Sequence, residues 1–421
     1  MFLRLISKVS RWKPMKIRSI TYFCNPGWPL DGPVIEQAGK FLAEAKSAYQ
    51  AAGYAVQTTR LATVPFPQIL GADKIGETPR LAEQVAAAIQ PAGIAYAALG
   101  PAQPEVLDNF AVIPEALTAA QNIFFSGVMA DARSGISIPA VQACAEVITR
   151  CAAITPDGFA NLRFAALANV RPGSPFFPAA YHNHDEPAFS IATEAADLAV
   201  EAFSNARTIP DGQAALASKI VKHARELAQV ADALGRRFSI MFGGIDFSLA
   251  PFPSEAASIG AAMERMGVPK AGLHGSLAAA AILTESVERA RFPRAGFNGL
   301  FLPVLEDAVL ARRAAEATLT VKDLLLYSAV CGTGLDTVPL PGDTTANQIA
   351  ALLLDLSALA LRLNKPLTAR LMPIPGKKAG DPTNFNFDYF ANSRVMALEA
   401  QALRPPLSET KRFTLASRHS A

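Results

Sequence analysis

Three side chains in this sequence have the types and settings of proton-transfer groups. Asp246 follows the apolar run "FSIMFGGI" and precedes a proline-containing loop, and a carboxylate at the carboxyl end of a strand is a common catalytic placement. His274 stands between Gly272 and Gly275 ahead of an alanine-rich helix pattern, where an imidazole can give or take a proton beside a helix N-terminus. Glu306 closes the run "LFLPVLE" and is followed by Asp307; two adjacent acids on a strand point opposite ways, so one faces inward and the other is solvated. Such an acid/base set typically contributes ~10²–10⁴-fold in rate. Each also has a purely architectural reading: Asp246 can cap a turn, and His274 can hydrogen-bond to backbone.

A second group has the character of ligand contacts. Gly244 and Gly275 would let a polar molecule approach the backbone closely. His182 and His184 in "HNHDEP" are two apart, so on an extended chain they share a face and could hold one divalent metal. Phe247, Phe252 and Tyr181 could offer a stacking surface. Cys331 and Asp336 fall in "VCGTGLD", and both are expected at a substrate pocket. Cys331 follows a helix pattern, where the negative dipole end opposes thiolate formation, so a pocket wall or core position fits it better than a nucleophile.

These groups must be carried by a large α/β framework. Of the 421 residues 51% are hydrophobic and only 18% charged, which suits an extensive buried core and excludes a disordered chain. The net charge is only +3, and the basic residues are scattered rather than striped, so no nucleic-acid partner is expected. No stretch reaches the ~18 uninterrupted apolar residues that a membrane span needs. The four cysteines form no CxxC, which fits a reduced, cytoplasmic chain. An alanine-rich, weakly charged surface is compatible with a homo-oligomer.

Strand and helix patterns alternate through most of the length. Strands are expected at 16–23, 54–63, 94–100, 122–129, 159–170, 238–253, 296–307 and 366–376, with a short one at "GLDTVPLP". Residues 1–14 are expected to be a disordered extension or to precede the true start at Met15, residues 15–405 to form one domain, and 406–421 a tail. Neither GxGxxG after a first strand nor GxxxxGK[ST] occurs, so no nucleotide fingerprint is present.

The run from "FGGIDFSLAPFP" through "GLHGS", "GLFLPVLED" and "VCGTGLDTVPLPGDTT" to "LTARLMPIPG", with "ARSGISIPAV" and "SPFFPAAYH" upstream, resembles the proteins grouped as domain of unknown function 711. The resemblance covers roughly residues 16 to 400, and "HNHDEPAFSIATEAADL" departs from the family's shorter branch. It implies a fold: the ten-stranded α/β barrel of pyruvate formate-lyase and ribonucleotide reductase, built from two halves of five parallel strands around an inner loop that carries a radical cysteine. A glycyl radical enzyme has an "RVSGY"-like segment near its C-terminus. Here "SRVMA" lacks the glycine, and none follows Gly380. The expected function is therefore acid/base chemistry of hydrolase or lyase type on a small sugar-like or hydroxy-acid substrate. The alternatives are a non-catalytic metabolite-binding protein and, further off, a thiyl-radical enzyme using Cys331.

Overall fold

The computed structural model describes residues 15–418. The extension at 1–14 lies outside the described residues. Among the described residues eleven strands form one sheet: β1 (Lys16–Cys24), β2 (Val56–Thr63), β3 (Tyr96–Ala102), β4 (Ile123–Asp131), β5 (Gly135–Ser137), β6 (Phe164–Ala168), β7 (Ala188–Glu194), β8 (Met241–Asp246), β9 (Gly334–Pro341), β10 (Leu367–Ile374) and β11 (Arg412–Phe413). The main path runs β8-β7-β1-β2-β3-β4-β6-β10-β9. β1, β2, β3, β4 and β6 are parallel neighbours, as are β7 with β8 and β9 with β10. The blocks meet antiparallel at β1/β7 and at β6/β10.

The parallel register explains the helices. Parallel neighbours need a crossover, and crossovers here use helices such as Gly32–Ala51, Thr78–Ile89 and Ile113–Ala119. Helices that cover a parallel sheet leave its strands buried, so the strands read as apolar runs; β6 (FAALA) and β10 (LTARLMPI) are buried at every position. The helix Ile138–Ala152 buries Cys144 and Cys151 together, as their seven-residue spacing predicts. No helix among the described residues is long and apolar enough to cross a membrane.

Three expectations change. The run 296–307 is not a regular strand. Its segment 294–303 makes only isolated parallel bridges, Ile245 to Arg294, Leu249 to Leu300 and Pro303 to Asp336, because bends at Gly296 and Gly299 interrupt it. The expected strand at 159–170 opens as a 3₁₀ turn, Phe159–Arg163, before β6. The helix before Cys331 ends at Tyr327, and 328–333 run on as turns. Within 406–421, Arg412–Phe413 form β11, antiparallel to β5.

Candidate functional site

Two arginines and two carboxylates converge near the β1 start. Arg18 of β1 forms an ion pair with Glu306 and lies 3.8 Å from Glu194. Arg370 of β10 donates from Nη2 to Glu306 Oε1 and from Nε to Asp336 Oδ1 of β9, both at 2.6 Å. All four are buried or nearly so, and a buried carboxylate in a parallel sheet survives only with such charge-assisted bonds. The chain Arg18–Glu306–Arg370–Asp336 thus ties β1, β9 and β10 to the end of the 294–306 segment.

The two carboxylates are pushed apart. Burial opposes ionisation of both. At Glu306 the attraction of Arg18 and Arg370 outweighs it and holds the group below its ordinary value. At Asp336 burial prevails over Arg370, aided by the Glu306 charge, and the group is raised. Asp336 Oδ2 takes no hydrogen bond from the described residues. The next residue, Thr337, has φ 42°, and the β9/β10 register shifts between Ala369 and Leu371 at the same place. A left-handed conformation is a strained one for a β-branched residue, of order 1–3 kcal/mol, and such strain gathers where function fixes a geometry.

Glu306, Asp336, Arg18 and Arg370 line a cavity of ≈ 210 Å³ together with Arg60, Tyr96, Phe124 and Phe177. Arg60 of β2 donates Nε to Thr58 Oγ1 at 2.9 Å, and its guanidinium sits 5.0 Å from the Phe177 ring and 5.9 Å from that of Tyr96. Among the described residues it forms no ion pair. Burial, with the Arg18 charge adding to it, pushes Arg60 down to about 9, so it remains cationic at neutral pH. Phe387 and Tyr389, from the segment "NFNFDYF", close one side of the cavity.

The other expected residues lie elsewhere. Asp246 is fully buried and lines neither this cavity nor the next. Its oxygens accept from Ser248 Oγ at 2.6 Å, Phe297 N at 2.7 Å, Asn298 N at 3.0 Å and Ser248 N at 3.2 Å, which fixes the turn at 296–298. Burial pushes it up to about 6 against those bonds. His274 is exposed on the outer loop before the helix Ser276–Arg289, so the structure does not bring it to Glu306. Gly275 is that helix's N-cap, with φ 104°. Gly244 has φ 122°, and a Cβ there would fall 2.7 Å from the Arg294 carbonyl carbon: the close approach is made by the chain itself. Cys331 is fully buried in the main core, lines neither cavity, and burial raises its thiol. Asp307 is not solvated as expected; it is buried and accepts from Ile259 N and Leu310 N, capping two helices.

His182 lies toward the opposite end of the strands, in a second cavity of ≈ 580 Å³ that Phe23 of β1 also lines. Arg18 and Phe23 are five residues apart, ~17 Å along an extended strand. The His182 Nε2 contacts the Glu186 carbonyl at 2.9 Å, and its ring lies 5.8 Å from that of His184. Among the described residues no group of three or more His, Cys, Asp or Glu is placed to hold a metal.

The model of the family described as uncharacterised ACR (DUF711) matches residues 9–389. The chain belongs to this family. Relatives carry the designation UPF0210 protein. One from Methanopyrus kandleri is 31% identical over 83% of this chain and 81% of its own length. One from Neisseria meningitidis is 30% identical over the same shares. One from Pyrobaculum aerophilum is 37% identical over 60% of this chain, and the match spans 57% of that relative's length. The match spans Arg18, Arg60, Glu306, Asp336 and Arg370, so the whole site lies within the family's extent.

The sequence reading named Glu306 and Asp336, which line this cavity, and passed over Arg18, Arg60 and Arg370, which line it too. A signal was present: each is a single arginine inside an otherwise apolar or β-branched run, "KIRSITYF", "TTRLAT" and "LTARLMPI". A cation in a buried strand needs a partner: Arg18 and Arg370 find theirs in Glu306 and Asp336, and Arg60 lies against Thr58 and two aromatic rings.

Proposed function

We propose that the Arg60 cavity binds a small hydroxy acid or sugar acid and carries out acid/base chemistry of hydrolase or lyase type on it. The observation that carries this reading is one unpaired guanidinium facing two carboxylates whose proton affinities are pushed in opposite directions. Arg60 would hold the substrate carboxylate bidentately, as planar guanidinium groups do. Asp336, raised and with Oδ2 free, would exchange a proton with a substrate hydroxyl or leaving group. Glu306 would stay ionised as counter-charge between Arg18 and Arg370. Environments that separate the proton affinities of neighbouring carboxylates mark acid and base roles. At ≈ 210 Å³ the space is below the ~300–1,000 Å³ of drug-sized pockets, which suits a compact metabolite. In this reading Asp246 and Asp307 serve the framework, and His274 takes no part.

We also propose that the sheet closes into the ten-stranded barrel of the pyruvate formate-lyase type. The support is the segment 294–303, whose parallel bridges reach β8 on one side and β9 on the other, adding a tenth member to the nine-strand path. The site would then face the barrel interior. Cys331 in the core gives the thiyl-radical alternative no surface to act on.

That both carboxylates are paired with arginine also suits a protein that binds without turnover. Incubating the purified chain with pooled hydroxy and sugar acids, followed by mass spectrometry, separates the two. The enzyme reading expects one acid to be consumed by wild type and spared by Asp336→Asn. A ligand retained unchanged by both proteins would leave the binding reading in its place.

A further inference from the structure

The second cavity carries a different chemistry from the first. Its lining holds two arginines, two histidines, four asparagines and two serines, and no aspartate or glutamate. Asp246 lies behind its wall: a Cβ on Gly296 would fall 2.1 Å from Asp246 Oδ2, yet both Asp246 oxygens are committed to Ser248 and the 297–298 backbone. Arg294 is committed as well, donating to the carbonyls of Val287, Glu288 and Ala290. Arg171 is exposed at the rim and forms no ion pair among the described residues.

Two buried groups point to a ligand. Ser174 and Ser190 are each 1% exposed, line the cavity, and find no hydrogen-bond partner for Oγ among the described residues. Buried hydroxyls left without partners are uncommon, because nothing replaces their lost hydration. Both lie against glycines that also line the cavity. A Cβ on Gly243 would meet Ser190 Oγ at 2.6 Å, and one on Gly296 would meet Ser174 Oγ at 3.0 Å, so any side chain there would obstruct the hydroxyls.

We propose that this cavity is a binding site for a small oxyanion, the phosphate or carboxylate group of a metabolite. Ser174 and Ser190 donate to its oxygens, and Arg171 supplies the opposing charge. A hydroxyl can also accept, but a lining with free cation and no carboxylate selects a ligand that brings acceptors and negative charge. The site is independent of the Arg60 cavity, so the chain holds two anionic groups at opposite strand ends.

The test is a thermal-shift titration of the full chain with inorganic phosphate and with citrate, together with a tungstate-soaked crystal. The expected result is saturable stabilisation by one of the two anions and a tungstate peak within hydrogen-bond distance of Ser174 or Ser190. Arg171→Ala and the Ser174→Ala/Ser190→Ala pair should each weaken binding by about tenfold or more, or ~1.4 kcal/mol, and Arg60→Gln should leave the tungstate peak at the serines in place. A phosphate response alone assigns a phosphate ester, and a citrate response alone a carboxylate. No saturable shift with either anion and no tungstate at the serines would overturn the proposal. So would binding that neither the arginine nor the serine variants weaken.

Discussion

Asp246 and Asp336 are the same residue type, both buried and both on strands, Asp246 in the parallel pair β7/β8 and Asp336 in the parallel pair β9/β10, yet their surroundings differ in kind. Asp246 is held entirely by neutral donors, two backbone amides at 297–298 and both Ser248 groups, and it lines neither of the two cavities. Asp336 is held on one oxygen by Arg370 and lines a cavity with Glu306 and Arg60. Position on a strand therefore does not distinguish a carboxylate whose bonds are filled by its own chain from one that lines a cavity; the partners do. A carboxylate whose acceptor capacity is filled by its own chain has nothing left to offer a substrate.

The largest effect expected is the loss of Arg370. Arg370→Met strips Asp336 of its paired cation and Glu306 of one of two, leaving buried negative charge uncompensated, and should cost ~3–5 kcal/mol in denaturant unfolding. A cost below ~1 kcal/mol would mean that the pair is solvated and the comparison fails.

pH should separate the two regions by sign. Asp246 is raised from 3.8 to about 6 in the folded chain, so its contribution is fully present below 3.8 and is lost as pH rises through about 6. The stability advantage of wild type over Asp246→Asn should shrink by up to ~3 kcal/mol across that window. Glu306 is lowered beneath 4.5, so its contribution is present above 4.5 and is lost as pH falls through the folded value. The advantage over Glu306→Gln should shrink on the acid side instead. Parallel slopes for the two variants would erase the distinction.

Arg60 sharpens the same comparison without threatening the fold. Its guanidinium lies over two rings at a cavity wall and pairs with no carboxylate, so Arg60→Gln should leave the unfolding midpoint within about 1 kcal/mol and weaken acid binding ~10–100-fold. The smallest effect belongs to Cys331→Ser. A hydroxyl in place of a core thiol should cost ~1–2 kcal/mol and leave ligand binding unchanged.

The strands were legible because a doubly covered parallel sheet must read as short apolar runs, and β1, β2, β4 and β10 fall where those runs do. The segment 294–303 was not, because its apolar residues are spaced by turns and its bridges depend on strands distant in sequence. Glu306 stood out as an acid at the end of an apolar run, whereas Asp336 was singled out by its place after Cys331 in "VCGTGLD". Asp246 stood out for the same reason as Glu306, and only the three-dimensional position of the 297–298 amides shows that it is occupied. The arginines that define the cavity were hidden by the evenly scattered basic composition, since their meeting is a property of sheet order.

The most direct measurement is the binding of a hydroxy-acid and sugar-acid library to wild type, Arg60→Gln and Asp246→Asn by thermal shift at neutral pH. The account predicts at least one acid that stabilises wild type and a folded Asp246→Asn with similar apparent affinity, and that loses at least about tenfold with Arg60→Gln. An acid whose binding survives Arg60→Gln and disappears in a folded Asp246→Asn would contradict it.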